Sequence, residues 1–423
     1  MRLDPFSDTY SRAPAATWQR ILRSGLLVSY DIDLKLWLIA GHDNVRTVLS
    51  TPVLFSNAAT LFPVRPVTAA VGAVLAGLAA PHVAVSADAP QHSRFRSILR
   101  RVFPTAATRA EQQWGDLVTR RAEQITDEIA GAAAVDLVDD LAVRFALQVI
   151  LDVLGLPADN ATDIRDWTDA FKQLVWGQQG DGAQLDAAHG SVALWQYCAK
   201  AVHQRAAADD HGPGLIGDLL RYRAGDDARL SVPEAASLIL NLVGAGWETT
   251  AGALGHALEH ALTQPERWER LARDDHYLAT HVEETLRYTP VIDGWLRLTT
   301  TEVTIDGITI PAGSRCLLLL GTANHDPGVF PEPDTFQPGR AGLSQHLAFG
   351  YGAHYCIGAA LARLELTTML RIVAQRLPGL RLGPDYVRGF VPNMALRNHT
   401  AMPAITHGGR CPIVHSLPPG AQR

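Results

Sequence analysis

A cysteine at the mouth of a helix sets the tightest limit on how this chain folds. Cys356 stands in the run Phe349-Gly-Tyr-Gly-Ala-His-Tyr-Cys356-Ile-Gly358, and Ala359-Ala-Leu-Ala-Arg-Leu-Glu-Leu-Thr367 follows as a strong helical segment. A sulfur placed there lies among unpaired backbone N–H groups at the positive end of the helix dipole. That setting favours thiolate over thiol. Gly350 and Gly352 permit a tight turn and let backbone come close to something flat. With the Phe349 ring just upstream, the run predicts one sulfur anion presented to a large planar ligand.

Helical periodicity dominates the rest. It predicts helices over 91–103, 107–130, 141–154, 164–176, 192–208, 232–262, 277–287 and 357–376, with Pro104, Pro157, Pro265 and Pro378 punctuating their ends. Alternation predicts two hairpins, one over 26–40 and one over 302–320 turning at Asp306-Gly307. The longest helix opens on a capping-box pattern, Ser231-Val-Pro-Glu234. Near its middle lies Gly244-Ala-Gly-Trp-Glu-Thr-Thr250, where two glycines and paired threonines make a poor helix core. Local weakness there implies close backbone packing or a groove for a small ligand.

With 423 residues and no Pro/Ser-rich linker, the chain reads as one catalytic domain over 1–407 and a loose Gly/Pro-rich tail over 408–423. The net charge of −6 argues against a general nucleic-acid binder. Cys198, Cys316, Cys356 and Cys411 form no CxxC pair, so no disulfide framework is expected and a cytoplasmic setting fits. Residues 66–87 carry no charge but are rich in Ala, Gly and Val, and read as an apolar lid rather than a membrane span.

The Cys356 run resembles the haem-binding signature of the cytochromes P450, Phe-Gly-x-Gly-x-His/Arg-x-Cys-x-Gly, at every fixed position. The resemblance implies a mainly α cytochrome P450 fold: a large helical domain, a smaller β-rich region, and haem b (iron protoporphyrin IX) buried between two long helices. It makes Cys356 the thiolate ligand of the iron, with Phe349, Gly350 and Gly358 shaping the loop around it. Gly244–Thr250 is similar to the family's oxygen-activation motif. By that likeness Ala245 and Gly246 line the dioxygen groove, Thr249 holds the oxygen undergoing reduction, and Glu248 belongs to the proton relay. Asp88-Ala-Pro-Gln-His92-Ser-Arg-Phe-Arg96 is a further match; His92 and Arg96, with Arg297 and His354, are implied partners of the haem propionates. Glu284-Thr-Leu-Arg287 and Arg340 match the family's structural Glu–Arg–Arg set.

The chain carries no dinucleotide-binding unit, flavin signature or ferredoxin-type cysteine cluster, so electrons must come from outside. The likeness to soluble bacterial members implies a separate ferredoxin and an NAD(P)H-dependent ferredoxin reductase, acting on a monomer with no membrane or nucleic-acid partner. Arg94, Arg100, Arg101 and Arg363 suggest a basic docking face. Family resemblance places the small-molecule substrate near 62–85, 171–176, 291–296 and 391–395. Candidate contacts are Trp247, Val291, Ile292, Asp293, Trp295, Asn393 and Met394. Trp247 either shrinks the pocket or packs as core. Asp293 either anchors a donor on the substrate or faces solvent in a turn. The expected activity is a monooxygenase acting on an apolar or aromatic, nitrogen-bearing natural product of bacterial secondary metabolism. Two alternatives stay open: oxidative coupling or ring formation without oxygen insertion, and a non-catalytic haem-thiolate sensor.

Overall fold

The structure is a computed structural model that describes residues 2–78 and 83–406; the expected tail over 408–423, with Cys411, lies outside the described residues. Helices Ala107–Ala130 and Ala359–Arg376 pack against each other in the main core. Their contact face is legible in spacing: Trp114, Val118, Ala122, Ile125 and Ile129 recur at three and four residues and are buried, opposite Met369, Leu370 and Val373.

Most predicted helices are present, with shifted ends. The 192–208 segment belongs to a longer helix, Asp181–Ala207, whose first turns carry Gly182 and Gly190 and too little apolar periodicity to be read. The 141–154 helix begins earlier, as a π-helical segment Leu137–Val143 running into Arg144–Leu154. Part of the expected lid is the short helix Ala69–Leu75, which buries Val71.

The largest difference lies in the 232–262 helix. It starts as expected, with Ser231 Oγ accepting from Glu234 N and the Glu234 carboxylate accepting from Ser231 N at 2.9 Å. It then divides into Val232–Gly246 and Glu248–Leu262, with Trp247 (φ −110°, ψ −47°) between. The Thr249 hydroxyl donates to Ala245 O at 3.0 Å and that of Thr250 to Gly246 O at 3.4 Å, so side chains occupy carbonyls that helical N–H groups normally take. Gly246 is required for a separate reason: a Cβ there would lie 2.6 Å from Ile150 Cγ1.

Among the described residues ten strands make three sheets. The first hairpin pairs β1 (Val28–Asp31) with β2 (Leu36–Ile39). In the 302–320 segment only β6 (Val303–Ile305) and β7 (Ile308–Ile310) form a hairpin, around Asp306 (φ 51°) and Gly307 (φ 75°). β8 (Arg315–Leu319) leaves it, pairing parallel to β2 and antiparallel to β5 (Gly294–Thr299). β3 (Phe55–Ser56) closes that sheet's edge. β4 (Ala134–Asp136), β10 (Pro403–Ile405) and β9 (Arg381–Leu382) form the third sheet.

A buried triad ties these parts to the cysteine loop. Arg287 donates to both carboxylate oxygens of Glu284 at 2.8 Å, and Arg340 Nε reaches Glu284 Oε1 at 3.1 Å. The remaining Arg287 donors take Asn324 O and Pro333 O at 2.9 Å. Glu284 thus faces two guanidinium groups in a dry interior. Breaking a buried ion pair by removing one partner costs about 3–5 kcal/mol. We expect Glu284→Gln to lower the unfolding free energy from chemical denaturation by that order; an unchanged value would show the triad to be dispensable.

Candidate active site

The cysteine loop is folded by its glycines. Gly350 (φ 70°) and Gly352 (φ 72°) adopt left-handed backbone, and a Cβ on Gly352 would press on Leu49 O at 2.8 Å. Cys356 N then donates to Phe349 O at 2.9 Å, which returns the chain to the start of the Ala359–Arg376 helix. Cys356 lies on the wall of a cavity of about 580 Å³. Burial pushes its thiol up from the ordinary range, while the Gly358 N–H, Arg96, Arg363 and the Ala359 N–H pull the other way. Burial thus opposes the helix-entry preference for thiolate in the protein alone, and a bound metal cation would take the proton off a coordinating thiol.

The same cavity is lined by His92, Arg96, Arg297 and His354. The His92 and His354 rings stack at 3.7 Å. Arg297 is 3 % exposed and donates to Leu296 O at 2.8 Å; burial pulls it down to about 10. Arg96 Nε is buried without a partner. Burial, together with His92 and Arg297, drives His354 down to about 3. The nearby carboxylate, Asp88, is already engaged by Ser56 and the Asn57 backbone. These crowded donors lack an anion, and buried cations need one. A planar group bearing two carboxylates and a metal that takes sulfur supplies what the donors and Cys356 both lack.

Opposite Cys356, the helix break puts Gly244, Ala245, Gly246, Thr249 and Thr250 on the cavity wall. Glu248 turns away from it. Its carboxylate pairs with the Lys172 ammonium and accepts from Asn398 Nδ2 at 2.5 Å. Lys172 is 5 % exposed, lines the cavity, and sits 5.0 Å from the Trp247 ring centroid. Trp247 is 1 % exposed and is core, so it does not narrow the pocket.

Of the other substrate candidates, Val291, Ile292 and Trp295 line the cavity, and Trp295 faces Trp176 at 5.5 Å. Asp293, Asn393 and Met394 do not, which corrects the substrate-anchor and solvent-facing readings of Asp293 and leaves a carboxylate paired inside the protein. It is buried rather than solvent-facing, and it accepts from Tyr10 OH at 2.5 Å on the far side of the chain from Ile292. Asn393 Oδ1 accepts from the N–H groups of Ala395 and Leu396 at 2.9 Å, an Asx turn that holds its own loop. Met394 is packed inside while its N–H bonds Trp176 O at 2.9 Å. The next inward residue along that segment is Leu396.

Sequence reasoning missed Lys172, Asn241 and Glu365 on this cavity. Lys172 and Glu365 each interrupt an apolar helix face, which is the signal that marks them. Burial holds the Glu365 carboxyl well above its ordinary range, and its Oε2 has no partner. The basic face is also smaller than expected. Arg94 is tied to Glu234 at 2.6 Å and Arg363 to Glu283 at 2.5 Å, leaving Arg100 and Arg101 along an open groove beside His92.

The sequence profile described as Cytochrome P450 matches residues 196–377. Cytochrome P450 107B1 of Saccharopolyspora erythraea is 33% identical over 366 residues, 84% of this chain and 85% of that protein. The chain is a cytochrome P450. The monooxygenase PikC of Streptomyces venezuelae is 32% identical over 389 residues, 89% of this chain and 86% of that protein. Among solved structures, cytochrome P450 CREJ in complex with (4-ethylphenyl) dihydrogen phosphate shares the fold at a TM-score of 0.89 and 27% identity, covering 95% of this chain and 98% of that one. Members of this family are oxidoreductases that bind haem b through a cysteine thiolate. Among the described residues no helix is long and apolar enough to cross a membrane.

Lys172 gives this P450 a pH-sensitive element. Burial draws its ammonium down to about 7, against the pull of Asp169; the touching Glu248 carboxylate favours the charged form further and moves the loss of the proton to higher pH. While the ammonium is charged the pair is intact; as pH rises the proton leaves and Glu248 loses its partner. We expect oxygen consumption with a surrogate ferredoxin system to rise through an inflection above about pH 7, and Lys172→Met to remove it. Profiles of the same shape would take the pair out of proton delivery.

Proposed function

We propose that this P450 is a monooxygenase of bacterial secondary metabolism, acting on a small, ring-bearing, largely apolar natural product with one hydrogen-bonding group. The observation that carries the substrate class is the cavity wall: Trp176 and Trp295 present a paired aromatic surface among Leu61, Phe171, Val291 and Ile292, beside the amide of Asn241. Asn241 lines the cavity and makes no side-chain hydrogen bond among the described residues, so its amide is available to a guest. With Asp293 and Asn393 turned elsewhere, a dedicated amine anchor is not part of this reading. The metabolic setting rests on relatives whose names describe such enzymes, including 6-deoxyerythronolide B hydroxylase of S. erythraea and nocardicin C N-oxygenase of Nocardia uniformis.

In this reading Cys356 would hold the haem iron, and His92, Arg96, Arg297 and His354 would hold its propionates. When bound, the haem supplies the iron chemistry that activates O2 and oxidises the guest. The chain's own residues do the rest. Trp176, Trp295 and Asn241 orient the guest in a water-poor pocket. Thr249, with its hydroxyl parked on Ala245 O, can swing that donor toward the cavity. Glu248 stands behind it as a carboxylate that can relay a proton, restrained by Lys172 and Asn398. Reduction comes from a ferredoxin and its NAD(P)H-dependent reductase, with Arg100 and Arg101 contributing to the docking face.

Oxidative coupling is a second outcome of the same site, and product mass under labelled O2 separates the two. The substrate reading is tested by titrating an aromatic ligand panel and following the low-spin to high-spin shift of the haem. Losing one aromatic contact costs about 0.5–1.5 kcal/mol beyond the area lost. We expect Trp295→Ala to weaken aromatic ligands several-fold or more, and Asn241→Leu to weaken only those that bear a hydrogen-bonding group. Asp293→Asn should leave affinity unchanged. Affinity that responds to Asp293 and not to Trp295 would overturn the assignment.

A further inference from the structure

The C-terminal half of the broken helix carries polar residues that the haem site does not use. His256 and Glu259 are buried on one face of Glu248–Leu262, three residues apart, and His399 packs against them from the C-terminal segment. The two imidazole centroids are 4.7 Å apart. One donor atom from each of the three residues lies within 4.8 Å of the other two.

Hydrogen bonding fixes what these groups offer. His256 Nε2 faces Arg397 O at 2.9 Å. A carbonyl only accepts, so the proton sits on Nε2 and Nδ1 keeps a bare lone pair. That Nδ1 is buried and has no partner. A backbone carbonyl on the far nitrogen is also how metal-binding histidines are oriented. His399 turns Nε2 to Glu259 Oε2 at 3.3 Å, and its Nδ1 has no partner. Bonds of about 2.0–2.1 Å in a tetrahedral zinc site place donor atoms about 3.3 Å apart, the separation this pair already has.

An ion-pair network accounts for part of the cluster. Glu259 accepts from Tyr386 OH and Arg388 Nε, both at 2.7 Å. It leaves the bare, buried His256 Nδ1 unexplained, and unsatisfied buried acceptors are costly. Both bonds fall on Oε1; the Arg388 side chain is 44 % exposed, so it can withdraw into water, which frees one lone pair of that oxygen and removes the competing charge.

We propose that His256, Glu259 and His399 form a site for one divalent transition-metal ion, zinc by its two-imidazole, one-carboxylate ligand set, with water completing the coordination. The ion clamps the 386–399 segment to the helix that carries Thr249. Asn398, which holds Glu248, is the neighbour of one ligand. The site is independent of the haem and of the substrate reading.

The test uses the haem-loaded protein, incubated with zinc chloride, desalted, and assayed for zinc per haem by mass spectrometry. We expect one zinc per haem in the parent and at least a tenfold loss of affinity in both His256→Gln and His399→Gln. Each variant's carbon monoxide spectrum verifies that the haem pocket is folded. Arg388→Ala leaves the three ligands in place and removes the competing cation; zinc should bind about tenfold tighter. Zinc-edge absorption on the parent should show N/O ligands at about 2.0–2.1 Å with imidazole scattering. No retained zinc, retention unchanged in the histidine variants, or weaker binding in Arg388→Ala would each overturn the site. The zinc-edge reading stands even where a histidine variant fails to fold.

Discussion

A cluster of guanidinium and imidazole donors short of an anion on the wall of one cavity is the constraint on which the rest depends. Arg96, Arg297, His92 and His354 converge there, and burial disfavours charge on every one of them. The carboxylate near them, Asp88, is already engaged by Ser56 and Asn57. The Glu284 triad shows the contrast, because there each buried guanidinium meets an anion within 3.1 Å. In the proposed reading the propionates of the cofactor would supply the missing anions. The sulfur at the same wall follows the same logic, since burial pushes its thiol up and a coordinating metal would take the proton.

The opposite wall shows how a local weakness becomes a device. Two glycines and two threonines interrupt a helix that would otherwise run unbroken, and the hydroxyls of Thr249 and Thr250 take over the carbonyls of Ala245 and Gly246. A continuous helix would satisfy those carbonyls itself and leave no movable donor over the cavity. Trp247 fills the space behind the break and forms a floor for the Lys172 ammonium. A buried lysine then becomes tolerable because Glu248 lies beside it, and the acid is held back from the cavity by the same contact.

What could be read from the chain was what local chemistry specifies. The glycines around Cys356, the capping box at Ser231 and the Asp306-Gly307 turn each need particular residues at particular positions, whatever the rest of the fold does. The Glu284–Arg287 spacing was legible for the same reason. Orientation across the fold was not. Asp293 and Ile292 are neighbours in an extended segment, so their side chains point to opposite sides, and only the N-terminal Tyr10 determines which side is interior. Lys172 and Trp247 are partners from helices far apart in sequence, with no spacing to reveal them. The start of the Asp181–Ala207 helix was hidden because its stability comes from packing and its local composition is weak.

The C-terminal segment joins parts that are otherwise separate. Its backbone pairs with the 291–293 stretch, through Arg397 N to Val291 O and Asp293 N to Ala395 O, both 2.8 Å. From that ribbon Leu396 reaches the cavity, Arg397 donates to the backbone of Tyr10 and Ser11, Asn398 grips Glu248, and His399 meets Glu259. Gly252 permits the approach, because a Cβ there would collide with Asn398 and Val291. Four consecutive side chains thus reach the cavity, the N-terminal helix, Glu248 and the buried histidine cluster. In the proposed reading a shift of this ribbon would move Leu396 in the pocket and Asn398 against Glu248 at once, so guest fit and proton delivery would be coupled, and a metal at His399 would stiffen both together.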